Sequence, residues 1–249
     1  VSDIVLKRPL PEAILREALA VVPEATGVAL PCGGDGAIEP ARAAEVIDPH
    51  LTSAQAIAIG PGFGSATPQQ QVVMRLISAD LPPMVIDADA LNCLSEVERF
   101  DLDFRASAIL TPHPKEFARL AQRLDLGLSP DDAIEPARRP DAAARLAQRL
   151  GAVVILKGAP TVVSDGLRTW TASTVNPALA TGGSGDVLTG IAASFVAQFH
   201  RAGVKAPVPR STASAATGIA RPGSASNTLD LFECARLAVW AHGRAADHW

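Results

Sequence analysis

GGSGDVLTGIAASFVAQFH (182–200) runs from a glycine-rich loop straight into a helical pattern. Gly182-Gly183-Ser184-Gly185 leads to Asp186, and Val187, Leu188, Ile191, Phe195, Val196 and Phe199 then recur on one helical face. Working outward, AQAIAIG (54–60), MVIDA (84–88), AILTP (108–112) and AVVILKG (152–158) are short apolar runs, each meeting Gly, Pro or Asp at its end, and read as buried parallel strands. Between them, residues 68–79, 114–124 and 140–150 carry apolar helical stripes with proline in the first turn. Strand, turn and helix in alternation predict an α/β fold with a mostly parallel central sheet flanked by helices. TVVSDGLRTWTAS (161–173) differs, because two alternating runs flank Asp165-Gly166, the pattern of a small antiparallel hairpin. Leu231, Cys234, Leu237, Ala238 and Ala241 give residues 229–249 a closing helical stripe, while residues 202–227, rich in Ala, Ser, Pro and Gly, are expected to be a flexible insertion.

The 249 residues suit a single domain, 1–249, and 48% hydrophobic with 19% charged residues excludes a mainly disordered chain. Twenty-two basic against twenty-six acidic residues give a net charge of −4, so no basic footprint for nucleic acid or anionic lipid is present. With 4% aromatics and no tyrosine, a stacking surface for bases is not expected either. Cys32, Cys93 and Cys234 are odd in number and far apart, which fits neither a disulfide framework nor a zinc site and is expected of a cytoplasmic protein. No basic leader runs into an apolar stretch, and no apolar run reaches the roughly 18 residues that a membrane helix needs. The sequence starts at Val1 rather than Met and is expected to be part of a longer product.

Chemistry-bearing residues gather where the predicted strands end. At 182–186 the helix start offers unpaired N–H groups to an anion, and Asp186 is either a helix N-cap or a general base beside that anion. Gly60-Pro61-Gly62-Phe63-Gly64 is a tight strand-to-helix turn or a place of close approach to a ligand. Asp87 and Asp89 read as helix-capping carboxylates or as a polar patch near a nucleotide-bound Mg²⁺. His113 and Glu116 read as a turn residue and a first-turn acid, and Lys157 as a phosphate contact or a solvated strand end. His50, His200, His242 and His248 lack ligand spacing and are expected to serve surface or packing roles. All the loops fall at carboxyl ends of predicted parallel strands, where open α/β sheets bind their ligands.

Taken as a set, AIAIGPGFG (56–64), MVIDADALN (84–92), AILTPHPKEF (108–117), VVILKGAPTVV (153–163) and NPALATGGSGDVLTGIAA (176–193) resemble the ADP/ATP-dependent NAD(P)H-hydrate dehydratases, the YjeF carboxyl-terminal family of the ribokinase-like superfamily. The resemblance implies a ribokinase-like fold and a metabolite-repair lyase. A nucleotide, ADP in most bacterial members, phosphorylates the hydroxyl of the 6S hydrate, and phosphate then leaves to restore NAD(P)H. It implies Asp186 as base, with the Gly183, Ser184 and Gly185 amides stabilising the transferred phosphoryl group. Lys157, Gly158, Ala159, Pro160, Thr161 and Gly185 are implied to bind nucleotide. Gly62, Gly64, His113, Asn176 and Asp186 are implied to bind the hydrate, and Glu116 to order Mg²⁺ indirectly. A homo-oligomer, such as a tetramer, with no nucleic-acid or membrane partner is implied as well. The alternatives are a small-molecule kinase of the same superfamily, acting on hydroxymethyl- or hydroxyethyl-bearing substrates, and a catalytically silent nucleotide-binding homologue. His113-Pro114-Lys115-Glu116, where such kinases generally carry Asn-x-x-Glu, favours the dehydratase by analogy. Departures are an expected first strand-helix segment with a Lys-x-x-x-Gly pattern and an Ala-Gly-Ser strand end, which residues 1–249 do not contain, Val175 and Lys115 at frequent glycine positions, and the long 202–227 stretch.

Overall fold

The computed structural model describes residues 6–200 and 228–248. Its centre is a six-stranded sheet ordered β3 (Ile57–Ile59), β4 (Met84–Ile86), β5 (Ala108–Leu110), β6 (Val153–Leu156), β7 (Val162–Ser164) and β8 (Thr169–Thr171). The first four strands are parallel and the last two antiparallel, as the runs and the Asp165-Gly166 hairpin predict. Each parallel strand is shorter than its apolar run, because the run's last residues leave the ladder to form the rim loops.

Side-chain alternation along the strands divides the core into two. Met84, Ile86, Ala108, Leu110, Val154 and Leu156 face α3 (Thr67–Ser78), α4 (Ala88–Glu96), α5 (Pro114–Arg123) and α6 (Arg139–Leu150). Val85, Ile109, Val153, Ile155 and Val163 face α7 (Ser184–Phe199) and α8 (Leu231–Ala246). The result is helix, sheet, helix, with α7 the element that brings the glycine loop to the sheet from the opposite layer.

Before the sheet come β1 (Leu6–Pro11), α1 (Glu12–Val21), β2 (Ala25–Leu30) and α2 (Pro40–Leu51), with β1 and β2 forming a separate parallel pair. Leu30, Ile38 and Ala43 form its own small core, against which Phe63 also packs. At the main rim, Gly60 follows β3 with φ +134, and a Cβ there would stand 1.7 Å from the Asp87 carbonyl oxygen. Only glycine lets the β3 and β4 ends approach so closely. The 202–227 stretch expected to be flexible lies outside the described residues, and no described helix is long and apolar enough to cross a membrane.

Candidate active site

Asp87, at the carboxyl end of β4, is the hub of the rim. It is only 1% exposed, yet both of its oxygens are engaged: Lys157 Nζ donates to Oδ1 at 2.7 Å, and Thr189 Oγ1 donates to Oδ2 at 2.6 Å. Although Asp87 stands at the N-cap position of α4, its side chain makes no cap bond. Asp89 Oδ2 likewise accepts from Gly64 N rather than from the helix, so the capping reading of this carboxylate pair is corrected: the Asp87 carboxylate ties β6 and α7 to the sheet instead. Lys157 Nζ also lies 3.9 Å from Glu116 Oε2, so one ammonium sits between two buried carboxylates. A Cβ on Gly185 would be 3.3 Å from that nitrogen, which places the α7 start directly over Lys157.

The α7 terminus is an anion-attracting edge. Gly183 is its N-cap, with φ +85, and the amides of Gly185 and Asp186 are among those that a helix start leaves unpaired. The Ser184 amide donates to Thr181 O at 3.2 Å, so that member of the expected trio is engaged. Asp186 is exposed and its carboxylate has no hydrogen-bond or ion-pair partner among the described residues. It is the third residue of the helix, not the N-cap, which corrects the plainer of the two sequence readings. Ser184 Oγ lies 3.2 Å from Nε2 of His242 on α8, and burial, partly opposed by the Ser184 backbone, holds the imidazole below its ordinary pKa.

Two further loops complete the edge. Gly64 N donates to Asp89 Oδ2 at 2.8 Å, and the Cys93 thiol points at Gly64 O, 3.6 Å away. Burial, with Asp89 adding to it, pushes the Cys93 pKa up to about 11, so this cysteine remains a thiol donor. Gly62 is in the same loop, and nothing lies within 4 Å of where its Cβ would be. His113 and Glu116 form a capping box at α5: His113 Nδ1 accepts from the Lys115 and Glu116 amides, and Glu116 Oε2 accepts from His113 N at 2.8 Å. Their first-turn reading is thus realised, with Glu116 in addition facing Lys157.

Lys157 to Thr161 form a strap from β6 to β7, in which Thr161 Oγ1 donates to Gly158 O at 2.9 Å. Gly158 and Ala159 are exposed and Pro160 is half-buried. Asn176 is engaged elsewhere: Oδ1 accepts from Ala178 N at 2.9 Å, and Nδ2 donates to Ala246 O at 2.9 Å, pinning the end of α8. A cavity of about 370 Å³ on the outer face of α7, lined by Val187, Gly190, Ile191, Ser194, Phe195 and Gln198, has no charged group to hold a phosphate. Sequence reasoning passed over Thr189 and Arg139. Thr189 was discoverable as a hydroxyl one turn beyond Gly185 within an apolar stripe, and Arg139 as a charge opening a helix whose stripe faces the core.

Comparison with known proteins settles the family. The family model described as NAD(P)H-hydrate dehydratase matches residues 12–249. The chain belongs to the NAD(P)H-hydrate dehydratase family. It is 38% identical over 192 residues to the bifunctional NAD(P)H-hydrate repair enzyme Nnr of Vibrio cholerae, covering 77% of this chain and 31% of that protein. It is 35% identical over 159 residues to the ATP-dependent (S)-NAD(P)H-hydrate dehydratase of Schizosaccharomyces pombe, covering 63% of this chain and 46% of that one. The chain thus spans about a third of the length of the Nnr relatives and under half of the yeast one. Among solved structures, the ADP/ATP-dependent NAD(P)H-hydrate dehydratase of Bacillus subtilis, co-crystallised with ATP and Mg²⁺, aligns at TM-score 0.65 and 26% identity over 98% of this chain and 70% of that one. The fold is ribokinase-like. A hydroxyethylthiazole kinase of Pyrococcus horikoshii, at 17% identity and TM-score 0.51, shares the fold alone.

Proposed function

We propose that this dehydratase-family chain carries out the nucleotide-dependent dehydration of (6S)-NAD(P)H hydrate, with ADP as phosphoryl donor. The observation that carries the reading is the approach of Gly185 to Lys157 Nζ, 3.3 Å from a Cβ position, with the unpartnered Asp186 carboxylate one residue on. A phosphoryl group at that point meets bare helix amides and an ammonium, while a hydroxyl beside it meets a carboxylate free to take its proton.

The steps follow from these placements. The hydrate's hydroxyl oxygen attacks the terminal phosphorus of the nucleotide, its proton passes to Asp186, and the P–O bond to the leaving AMP breaks. The Gly183 and Gly185 amides and the Lys157 ammonium hold the charge that develops on the phosphoryl oxygens. Phosphate then departs from the ring carbon as the neighbouring carbon loses a proton, which restores the dihydropyridine. Gly158 to Thr161 hold the nucleotide, Gly62, Gly64 and His113 contact the hydrate, and Asn176 braces the segment leading to the glycine loop.

Magnesium suits the donor chemistry of this rim, where the Asp87 and Glu116 carboxylates offer hard oxygens beside Lys157. When bound, it supplies charge neutralisation on the transferred phosphoryl group. Assembly as a homo-oligomer belongs to the same proposal and is read by light scattering.

The test is incubation of the chain with hydrated NADH or NADPH and with ADP or ATP. Return of reduced-dinucleotide absorbance, with phosphate and AMP as stoichiometric products from ADP, is the expected result; ATP would leave ADP in place of AMP. Accumulation of a phosphorylated alcohol on a panel of small alcohols, without restored absorbance from the hydrate, would make the chain a kinase. Nucleotide binding with neither product would make it a silent homologue.

A further inference from the structure

Beneath the Lys157–Thr161 strap lies Arg139, the bulkiest fully buried side chain among the described residues, at the start of α6 and 1% exposed. Its guanidinium is spent entirely on backbone carbonyls. Nε donates to Pro160 O at 2.9 Å, Nη2 to Leu156 O at 2.8 Å and to Lys157 O at 2.9 Å, and Nη1 to Ala133 O. Among the described residues no carboxylate pairs with it, and burial acts on its ionisation, pulling the pKa down. A buried ion with no counter-charge is an expensive way to hold four carbonyls, and it leaves positive potential directly under an exposed turn.

The carbonyl bonds also decide where the strap's amides point. In a planar trans peptide the C=O and the following N–H face opposite ways. Leu156 O turned toward Arg139 sends Lys157 N–H the other way, and that group does donate away from the guanidinium, to Pro112 O past the end of β5 at 2.9 Å. By the same geometry Lys157 O sends Gly158 N–H outward and Pro160 O sends Thr161 N–H outward, and neither amide has an acceptor among the described residues. Guanidinium and strap are in contact: a Cβ on Gly158, whose φ is +145, would lie 2.7 Å from Arg139 Nη2.

We infer that Arg139 is a positioning residue for the nucleotide, turning the Gly158 and Thr161 amides outward as donors to a phosphate and backing them with an unneutralised buried charge. The inference rests on the nucleotide reading of the strap given above. Arg139 touches no substrate and acts through the backbone it holds.

The experiment uses Arg139→Lys, which keeps a positive charge but loses the planar fork. In the variant without ligand, hydrogen exchange at Gly158, Ala159 and Thr161 is expected to accelerate relative to the rest of β6 and β7. With ADP, Kd and KM should rise roughly tenfold or more while kcat at saturating nucleotide stays within about threefold, a split that general destabilisation would not produce. A second measurement needs no variant: in wild-type protein the Arg139 Nε–H resonance should move on ADP titration and saturate with the binding curve. Wild-type ADP affinity and wild-type strap exchange in Arg139→Lys would overturn the inference and leave the nucleotide site standing, as would an unmoved Arg139 resonance at saturation. Failure of the wild-type protein to bind ADP would sink the site reading itself, and this inference with it.

Discussion

Asp87 and Lys157 end strands that are not neighbours, with β5 between them, and their 2.7 Å ion pair bridges that strand. Asp87 is buried and Lys157 nearly so, and removing one member of such a pair strands a charge in the interior at a cost of about 3–5 kcal/mol. Lys157→Met and Asp87→Asn should each destabilise strongly, and the double variant should recover part of the loss through a coupling of roughly 2 kcal/mol. Urea unfolding of the four proteins measures it, and additive losses would show that the pair is not shared. Asp186 is the contrasting residue: exposed and without a partner among the described residues, it contributes little to the fold. Asp186→Asn should therefore leave the melting temperature and ADP affinity near wild type while kcat falls by about two orders of magnitude or more. Unchanged turnover would remove the residue from the base role.

Among the elements, those built on uninterrupted patterns were legible in the sequence. The runs at 54–60, 84–88, 108–112 and 152–158 contain β3 to β6, and the stripes at 68–79, 114–124 and 140–150 match α3, α5 and α6 to within a residue. The first 53 residues gave no such reading. Pro9 and Pro11 break the strand pattern of β1, which forms because it belongs to a two-stranded pair with open edges, and Pro49 falls inside α2. Of the site, the loops were legible because strand ends collect them; the ties between loops were not, because Asp87 to Thr189 spans 102 residues with no local pattern. The contact of α7 with α8 through Ser184 and His242 is another such tie, and it titrates. Because burial lowers the folded-state pKa of His242 beneath its usual 6.5, the unfolded chain takes up a proton that the folded chain resists. The stability from neutral His242 is complete above the unfolded pKa and is lost as pH falls through about 6.5 toward the folded value, with a slope of at most about 1.4 kcal/mol per pH unit. Unfolding free energies measured from neutral to mildly acidic pH should show this decline, and His242→Gln should flatten it. An equal slope in the variant would assign the titration elsewhere.

For the molecule as a whole, the candidate site lies at a meeting of layers. Lys157 and its strap leave the sheet beside α6, whereas Gly185 and Asp186 arrive on α7 from the opposite helical layer, and Asp87 joins the two through its separate oxygens. A nucleotide held between strap and helix start therefore binds only when sheet and both layers are assembled, and its binding energy adds to the stability of the entire α/β unit. At about a hundredfold excess over Kd, mass action contributes about 2.7 kcal/mol, which for a chain of this size corresponds to a rise in Tm of roughly 5–10 °C. ADP should produce that rise as a shift of one cooperative transition. Gly185→Val should abolish it, since even a Cβ there stands 3.3 Å from Lys157 Nζ and a branched side chain would occupy the space a phosphate needs. Scanning calorimetry of both proteins with and without ADP checks the pair of outcomes. A rise of equal size in Gly185→Val would move the nucleotide away from the α7 start, and a transition that splits, with only part of it moved by ADP, would place the ligand within one layer.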